Sequence, residues 1–361
     1  MRVREQMKRA AGSQRRQDSS AEIEMFTDRA ISVRVLRRPE GGVLAGLIVV
    51  CLMFYVISPA HFLNGGLWST LLVVATEYGV PAIGMTFLLS SGEFDLSVGG
   101  TVVLSGMLYA ELATDLRWPE VVALFVGLAA CACVGVVNGI LTVGLKIPSF
   151  IGTLATWMFL EGIEQVVHGG IAIPVANQAG ALLPLSGTVF GSQYNVMFVW
   201  FVGLVLVGAW IFEGTRYGNW IMAVGGNRSA ARAAGVPVSS VKVSNFVVTS
   251  VLGGLAGLMQ LGYVLEWSAT TGANTSMIVI LIAVVGGTSL FGGEGSVWGG
   301  FLAAILVAII DSGLILVGAP SNWFESFVGV LLVVAVLINS RMKRGAAEVE
   351  SRVERRLLSG E

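Results

Sequence analysis

From residue 42 onward the chain alternates long apolar runs with short polar interruptions. Runs near 42–60, 67–90, 98–116, 119–144, 149–169, 195–213, 241–263, 275–290, 296–318 and 323–339 approach the roughly 20 residues that carry a helix across a bilayer. They predict about ten transmembrane spans. The expected fold class is all-α: a polytopic membrane helix bundle, with some helices discontinuous. Its expected division is a basic tail over 1–41, a membrane domain over 42–340 and a second tail over 341–361.

One interruption organises the rest, Gly92 to Gly100, which reads G-E-F-D-L-S-V-G-G. It sets Glu93 and Asp95 between two apolar runs, where charge persists only if it caps a helix, pairs, or lines a polar route. The Gly and Ser around the acids let a helix break and restart, as in the discontinuous helices of transporters. A later stretch echoes it. Residues 76–100 and 275–300 both run from an apolar span through a Gly-rich break into a helix opening on Ser-Val, as Ser97-Val98-Gly99-Gly100 and Ser296-Val297-Trp298-Gly299-Gly300. Duplicated halves meeting at a central route are a common transporter plan, although Gly-rich membrane breaks also resemble one another without duplication.

Composition points the same way. The chain is 55% hydrophobic and 12% charged, against about 25% charged in soluble domains, so most of it must sit in lipid. Charge placement then orients it. Residues 1–40 carry Arg2, Arg4, Lys8, Arg9, Arg15, Arg16, Arg29, Arg34, Arg37 and Arg38 but no early apolar core, which argues against a signal peptide. A partly disordered cytoplasmic tail drawn to the anionic inner leaflet is expected. Glu22, Glu24 and Asp28 interrupt the basic run, so no nucleic-acid partner is expected. With the amino end inside, Lys146, the loop holding Arg216, Arg228, Arg232 and Lys242, and Arg341, Lys343 and Arg344 all fall on the cytoplasmic side, as the positive-inside rule requires. Gly169 to Asn195, without Asp, Glu, Lys or Arg, lands outside. Cys51, Cys131 and Cys133 lie in apolar runs and read as small buried hydrophobes. His61 and His168 are too far apart to suggest a metal, and none is expected.

Between Gly214 and Lys242 the loop has four basic residues and no acid. Asn227 or Ser229 is placed to cap a short helix over Ala230 to Ala234, Gly235 is a suitable left-handed stop, and Pro237 cannot continue it. So short a helix needs another surface to pack against. Either it docks a soluble partner or it lies on its own protein.

Asp95-Leu96-Ser97-Val98-Gly99, the run Asn138-Gly139 through Lys146-Ile147-Pro148-Ser149-Phe150-Ile151 to Thr153-Leu154, the loop Gly225-Gly226-Asn227 through Ala230-Ala231-Arg232 to Gly235, and Gly286-Gly287-Thr288-Ser289-Leu290-Phe291-Gly292-Gly293 together resemble the inner-membrane permease subunits of bacterial ABC importers for sugars. These are of the ribose and simple-sugar type, related to the branched-chain amino acid permeases, and the likeness covers about 43–340. Glu93 and Phe94 stand where the family commonly has Gly and Ile. The resemblance implies a multi-pass inner-membrane protein that is not itself an enzyme. It also implies a second permease subunit, expected as a homodimer, one or two ATPase subunits carrying ATP and magnesium, and a periplasmic or lipoprotein sugar-binding protein. Gly225, Gly226, Asn227, Ala230, Ala231, Arg232 and Gly235 would form the coupling helix that enters a groove on the ATPase. No cofactor is expected on this chain, and it has no G-x-x-x-x-G-K-[ST] phosphate loop.

Alternating access of a central cavity would then move the sugar, with sparse polar groups replacing its water. Candidates along the pathway are Glu77, Asn138, Asp311 and Ser312, while Glu93, Asp95 and Ser97 suit an inner gate or a helix-opening cap. Plainer readings stand beside these. Asn138 lies in Gly135-x-x-x-Gly139, and that pattern and Gly253-x-x-x-Gly257 suit close helix packing; Glu161, Glu164 and His168 suit an exposed outer cluster. From a different class, an ion-gradient-driven carrier of a small polar solute would use Glu77, Asp95 or Asp311 as its ion site. An intramembrane enzyme lacks a visible nucleophile and base.

Overall fold

The computed structural model describes residues 39–333 except 170, 176, 178, 273, 321, 322, 331 and 332. Apart from residues 39–41, the two expected tails lie outside the described residues, as does the far part of the run at 323–339. Eleven helices carry the described architecture: α1 Pro39–Ile57, α2 Gly65–Ser90, α3 Val98–Ala110, α4 Glu120–Gly139, α5 Ser149–His168, α6 Met197–Gly214, α7 Arg216–Gly226, α8 Arg228–Ala233, α9 Val238–Val264, α10 Thr275–Val285 and α11 Val297–Leu316. Residues 323–330 are also helical.

Six helices are long and apolar enough to cross a membrane: those over 40–57, 65–90, 120–144, 197–214, 238–264 and 297–316. The expected count of about ten is not reached among the described residues. The shortfall has local causes. Helix α10 spans 11 residues, about 16 Å at 1.5 Å per residue, because the Gly-rich stretch from Gly286 ends it well before residue 290. Helix α3 stops after 13 residues in a π turn. Helix α5 has the length, but its outer turns carry Glu161, Glu164, Gln165 and His168.

The bundle forms around α9, which packs against α2, α3 and α4. Small residues let the backbones meet. A Cβ on Gly135 of α4 would stand 2.6 Å from the Val247 Cα, and one on Gly257 of α9 would overlap the Val102 carbonyl oxygen of α3. Both G-x-x-x-G patterns therefore serve close packing, the usual route to membrane helix association when lipid is as apolar as the side chains.

Two turns repeat a device that the apolar pattern conceals. Helices α3 and α4 each tighten into a five-residue π turn, Glu111–Asp115 and Ile140–Gly144. Each is followed by a left-handed basic residue, Arg117 at φ 52° and Lys146 at φ 58°, and then by a proline preceding the next helix. The sequence signal is Leu116-Arg117-Trp118-Pro119 and Leu145-Lys146-Ile147-Pro148. At the opposite end from Lys146, β1 (Ile173–Pro174) pairs antiparallel with β2 (Glu266–Trp267). The Trp267 indole donates to the Val103 carbonyl of α3 at 3.1 Å, so β2 rests against α3 just past the end of α9 and the uncharged segment is tied there through β1.

The expectation of buried cysteines holds for Cys131 and not for the other two. Cys131 is buried, Cys51 half-buried and Cys133 exposed, because Cys133 lies on the face of α4 turned away from α9. Glu164 is also corrected: it is 2% exposed rather than in an open cluster, since it follows buried Leu160 by one helical turn on the face of α5 that meets the bundle.

Replacing Gly257 by Ala should overpack the α3–α9 contact and cost roughly 1–3 kcal/mol. Replacing Gly162, whose Cβ would meet nothing within 4 Å, should be neutral or stabilising by about 0.5–1 kcal/mol. Thermal midpoints of the two purified variants in one detergent check the contrast.

Candidate functional site

The break after α2 is built, residue by residue, so that no backbone group is stranded. Gly92 at φ 80° ends α2 in a left-handed turn. Gly92 N–H donates to the Leu89 carbonyl at 2.8 Å and Glu93 N–H to that of Leu88 at 3.2 Å, the paired bonds of a Schellman cap. Helix α10 ends the same way, with Gly287 and Thr288 donating to Val284 and Ala283.

The next amides find side chains from neighbouring helices. Phe94 N–H donates to the Ser149 hydroxyl at 3.1 Å, Leu96 N–H to that of Thr153 at 3.0 Å, and Gly99 N–H to that of Ser276 at 2.9 Å. Ser276 in turn donates to the Leu96 carbonyl at 2.7 Å. A buried amide left unpaired would cost about 1–3 kcal/mol, so α5 and α10 together hold the break in shape. The cap expected from Ser97 is not made; Ser276 of α10 takes that place. The Ser97 hydroxyl instead donates to Asp95 Oδ1 at 2.6 Å, beside the Ser97 N–H at 2.8 Å, and accepts from Asn138 at 2.8 Å.

Asp95, Ser97 and Asn138 thus form one fully buried cluster, closed by Thr156, whose hydroxyl donates to Asn138 Oδ1 at 2.7 Å. Asp95 Oδ2 has no hydrogen-bond partner among the described residues. Burial pushes the Asp95 carboxyl up to about 6, against the opposing pull of the Ser97 and Asn138 bonds. Glu93 does not join the cluster. It pairs with the Lys242 ammonium at the start of α9, both largely buried, so the acid that departs from the family pattern has a counter-ion. Thr156, Ser276 and the pairing role of Lys242 were missed from sequence. The spacing Ser149, Thr153, Thr156 does mark one polar helical face.

Both Gly-rich breaks converge on the end of α7. A Cβ on Gly225 would overlap the Ser90 carbonyl oxygen, and one on Gly292 would lie 2.9 Å from the Gly225 Cα and 3.0 Å from the Gly92 Cα. Gly293 N–H donates to the Ser90 carbonyl at 2.9 Å. Three chain segments therefore touch backbone to backbone. Directly beyond them Asn227 caps α8 by accepting from the Ser229 and Ala230 amides, and Gly235 at φ 83° stops it. Arg228, Ser229, Ala230, Arg232, Ala233 and Ala234 are exposed. Ala231 is buried, so the inward face of α8 is a single methyl group.

The remaining candidates lie elsewhere. Glu77 of α2 and Asp311 of α11 are half-buried and close enough for their charges to interact, and Ser312 is buried beside Asp311. They form a second acidic locus, separate from the Asp95 cluster.

A polytopic bundle whose broken helices meet beneath an exposed short helix, with acids held between its spans, is the architecture of a membrane permease. The chain belongs to the family described as branched-chain amino acid transport system / permease component, which matches residues 67–336. It is therefore a translocation component rather than an enzyme, and a multi-pass membrane protein. Among similar proteins, the xylose/arabinose import permease protein XylH of Sulfolobus acidocaldarius is 30% identical over 88% of this chain and 90% of its own length. The ribose import permease protein RbsC of Escherichia coli is 29% identical over 82% of this chain and 92% of its own, and the fructose import permease protein FrcC of Rhizobium meliloti 28% over 86% and 87%. No solved structure matches the chain.

The folded protein holds the Asp95 proton more tightly than the unfolded chain, whose carboxyl titrates at about 4. Its stabilising contribution is therefore complete below about 4 and falls as pH rises through about 6. Asp95→Asn should remove that slope while keeping the bond to Ser97, whereas Asp95→Ala should cost roughly 1–3 kcal/mol at every pH by orphaning its donors. Thermal midpoints from pH 4 to 8 decide; an unchanged slope in Asp95→Asn would refute the assignment.

Proposed function

We propose that the chain is the membrane-spanning subunit of an ATP-driven importer. It carries a sugar or sugar-like polyol across the inner membrane by alternating access. A second copy completes the pathway, separate ATPase subunits supply energy, and an extracytoplasmic binding protein delivers the sugar. Both termini and α8 face the cytosol, by the placement of Lys146, Arg228, Arg232 and Lys242. The similar proteins are xylose/arabinose, ribose and fructose import permeases, which supports the substrate class.

The observation that carries the reading is the position of α8. It is exposed along nearly its whole length, yet its base, Gly225 and Gly226, is seated against both helix breaks. A push on α8 from an ATPase groove reaches the Gly92 and Gly292 turns without crossing a flexible side chain. Glu77, Asp311 and Ser312 then serve as polar contacts for sugar hydroxyls, and Glu93, Asp95, Ser97 and Asn138 fix the inner gate.

One observation favours a second reading. The adjacency of Glu77 and Asp311 would equally suit the ion site of a gradient-driven carrier. The two readings separate on variants. Since Ala231 packs inward, the docking face is probed at Ala230. Ala230→Trp should abolish ATP-dependent uptake and co-purification of the ATPase while leaving the thermal midpoint unchanged. A carrier would ignore that change, work in vesicles without ATP, and fail on Glu77→Gln.

A further inference from the structure

Beside α8 lies a cavity of about 680 Å³ that collects hydrogen-bond donors. Lys146, Arg228 and Arg232 line it together with Asn227, Thr142 and Ser149. Glu93 is the acid in the lining, and Lys242 already neutralises it. The Thr142 hydroxyl is buried without a hydrogen-bond partner among the described residues. The Ser149 oxygen accepts from the Phe94 amide, and Asn227 Oδ1 is occupied by the Ser229 and Ala230 amides and the Ser229 hydroxyl, so donors are what each still offers. Lys146, Arg228 and Arg232 form no ion pair among the described residues, and three cations around one concavity raise its potential and draw in an anion. The volume falls in the range of about 300–1,000 Å³ used by small-molecule sites, and the guanidinium fork matches phosphate geometry.

The walls of the cavity belong to two bodies. Asn227, Arg228 and Arg232 ride on α8, whereas Thr142 and Lys146 belong to the π turn and the left-handed corner that join α4 to α5. An anion bridging them would tie α8 to that corner. We propose that this cavity binds a cytosolic phosphate monoester of sugar-phosphate size, and that its occupation clamps α8 and slows import. The cytosolic orientation and the inhibition rest on the function proposed above; the binding itself does not.

The test uses the full chain in phosphatidylcholine nanodiscs, titrated calorimetrically with glucose 6-phosphate and with inorganic phosphate. Lys146→Asn is the variant, since Asn tolerates the left-handed backbone that Lys146 adopts. Saturable binding of the sugar phosphate, weakened roughly tenfold in Lys146→Asn by loss of one charge-assisted contact, is expected. In proteoliposomes with the ATPase assembled, glucose 6-phosphate on the ATPase side should slow uptake by the wild-type chain and not by Lys146→Asn. No saturation, or equal affinity in the variant, overturns the proposal whatever the fate of the transport reading. Binding that vanishes once the ATPase is assembled also overturns it, by assigning the cavity to an acidic segment of that partner. Competition by phosphatidic acid nanodiscs overturns it in favour of a lipid headgroup.

Discussion

The structure depends on close contact between three stretches of bare backbone. Gly92 and Gly292 turn the chain at the two breaks, and Gly225 sits between them with no room for a side chain on the Ser90 side. Side chains in a membrane bundle have rotamers to absorb a displacement, but backbone pressed on backbone transmits it. The Gly293 to Ser90 hydrogen bond fastens the breaks together. This junction makes α7 and α8 part of the broken helices rather than an appended loop. It also explains why the two halves of the sequence echo one another, since each supplies one turn to the same point.

Around that junction the polar groups divide between holding shape and remaining available. The amides of residues 94, 96 and 99 are satisfied by Ser149, Thr153 and Ser276, so the break is braced by α5 and α10. Asp95 is drawn into that bracing through Ser97 and Asn138. A buried carboxyl with three ordered donors on one oxygen and the other oxygen unpaired among the described residues suits a fixed element better than a group that meets each passing substrate. Glu77 and Asp311 show no such bracing bond among the described residues; half-buried on α2 and α11, they are the acids to which the proposed function gives sugar contact.

Much of this was legible in the sequence, to differing depth. Helix positions followed from apolar run length, and the α8 cap, its glycine stop and the Gly92 break from residues whose backbone preferences are strong. Span number was not legible, because hydropathy reports how apolar a run is and not where glycines or a π turn cut it, as at Gly286 and Glu111. The repeated Leu-basic-x-Pro corners escaped because Arg117 and Lys146 are not residues that announce φ above zero. Partners distant in sequence escaped for a plainer reason: Ser276 caps a helix about 180 residues earlier, and no local pattern encodes that.

The short length of α8 follows from the same constraint as its exposure. A six-residue helix cannot hold itself together in water, and here the protein buries only the Ala231 methyl beneath it. Its stability comes instead from its ends, the Asn227 cap and the Gly235 turn, with Gly225 and Gly226 clamped just before. An element fixed at its ends and bare along its face can receive a groove without first giving up contacts of its own. Extra apolar burial on this bundle would make α8 more stable alone and less available, so its weak self-packing is what the proposed docking requires.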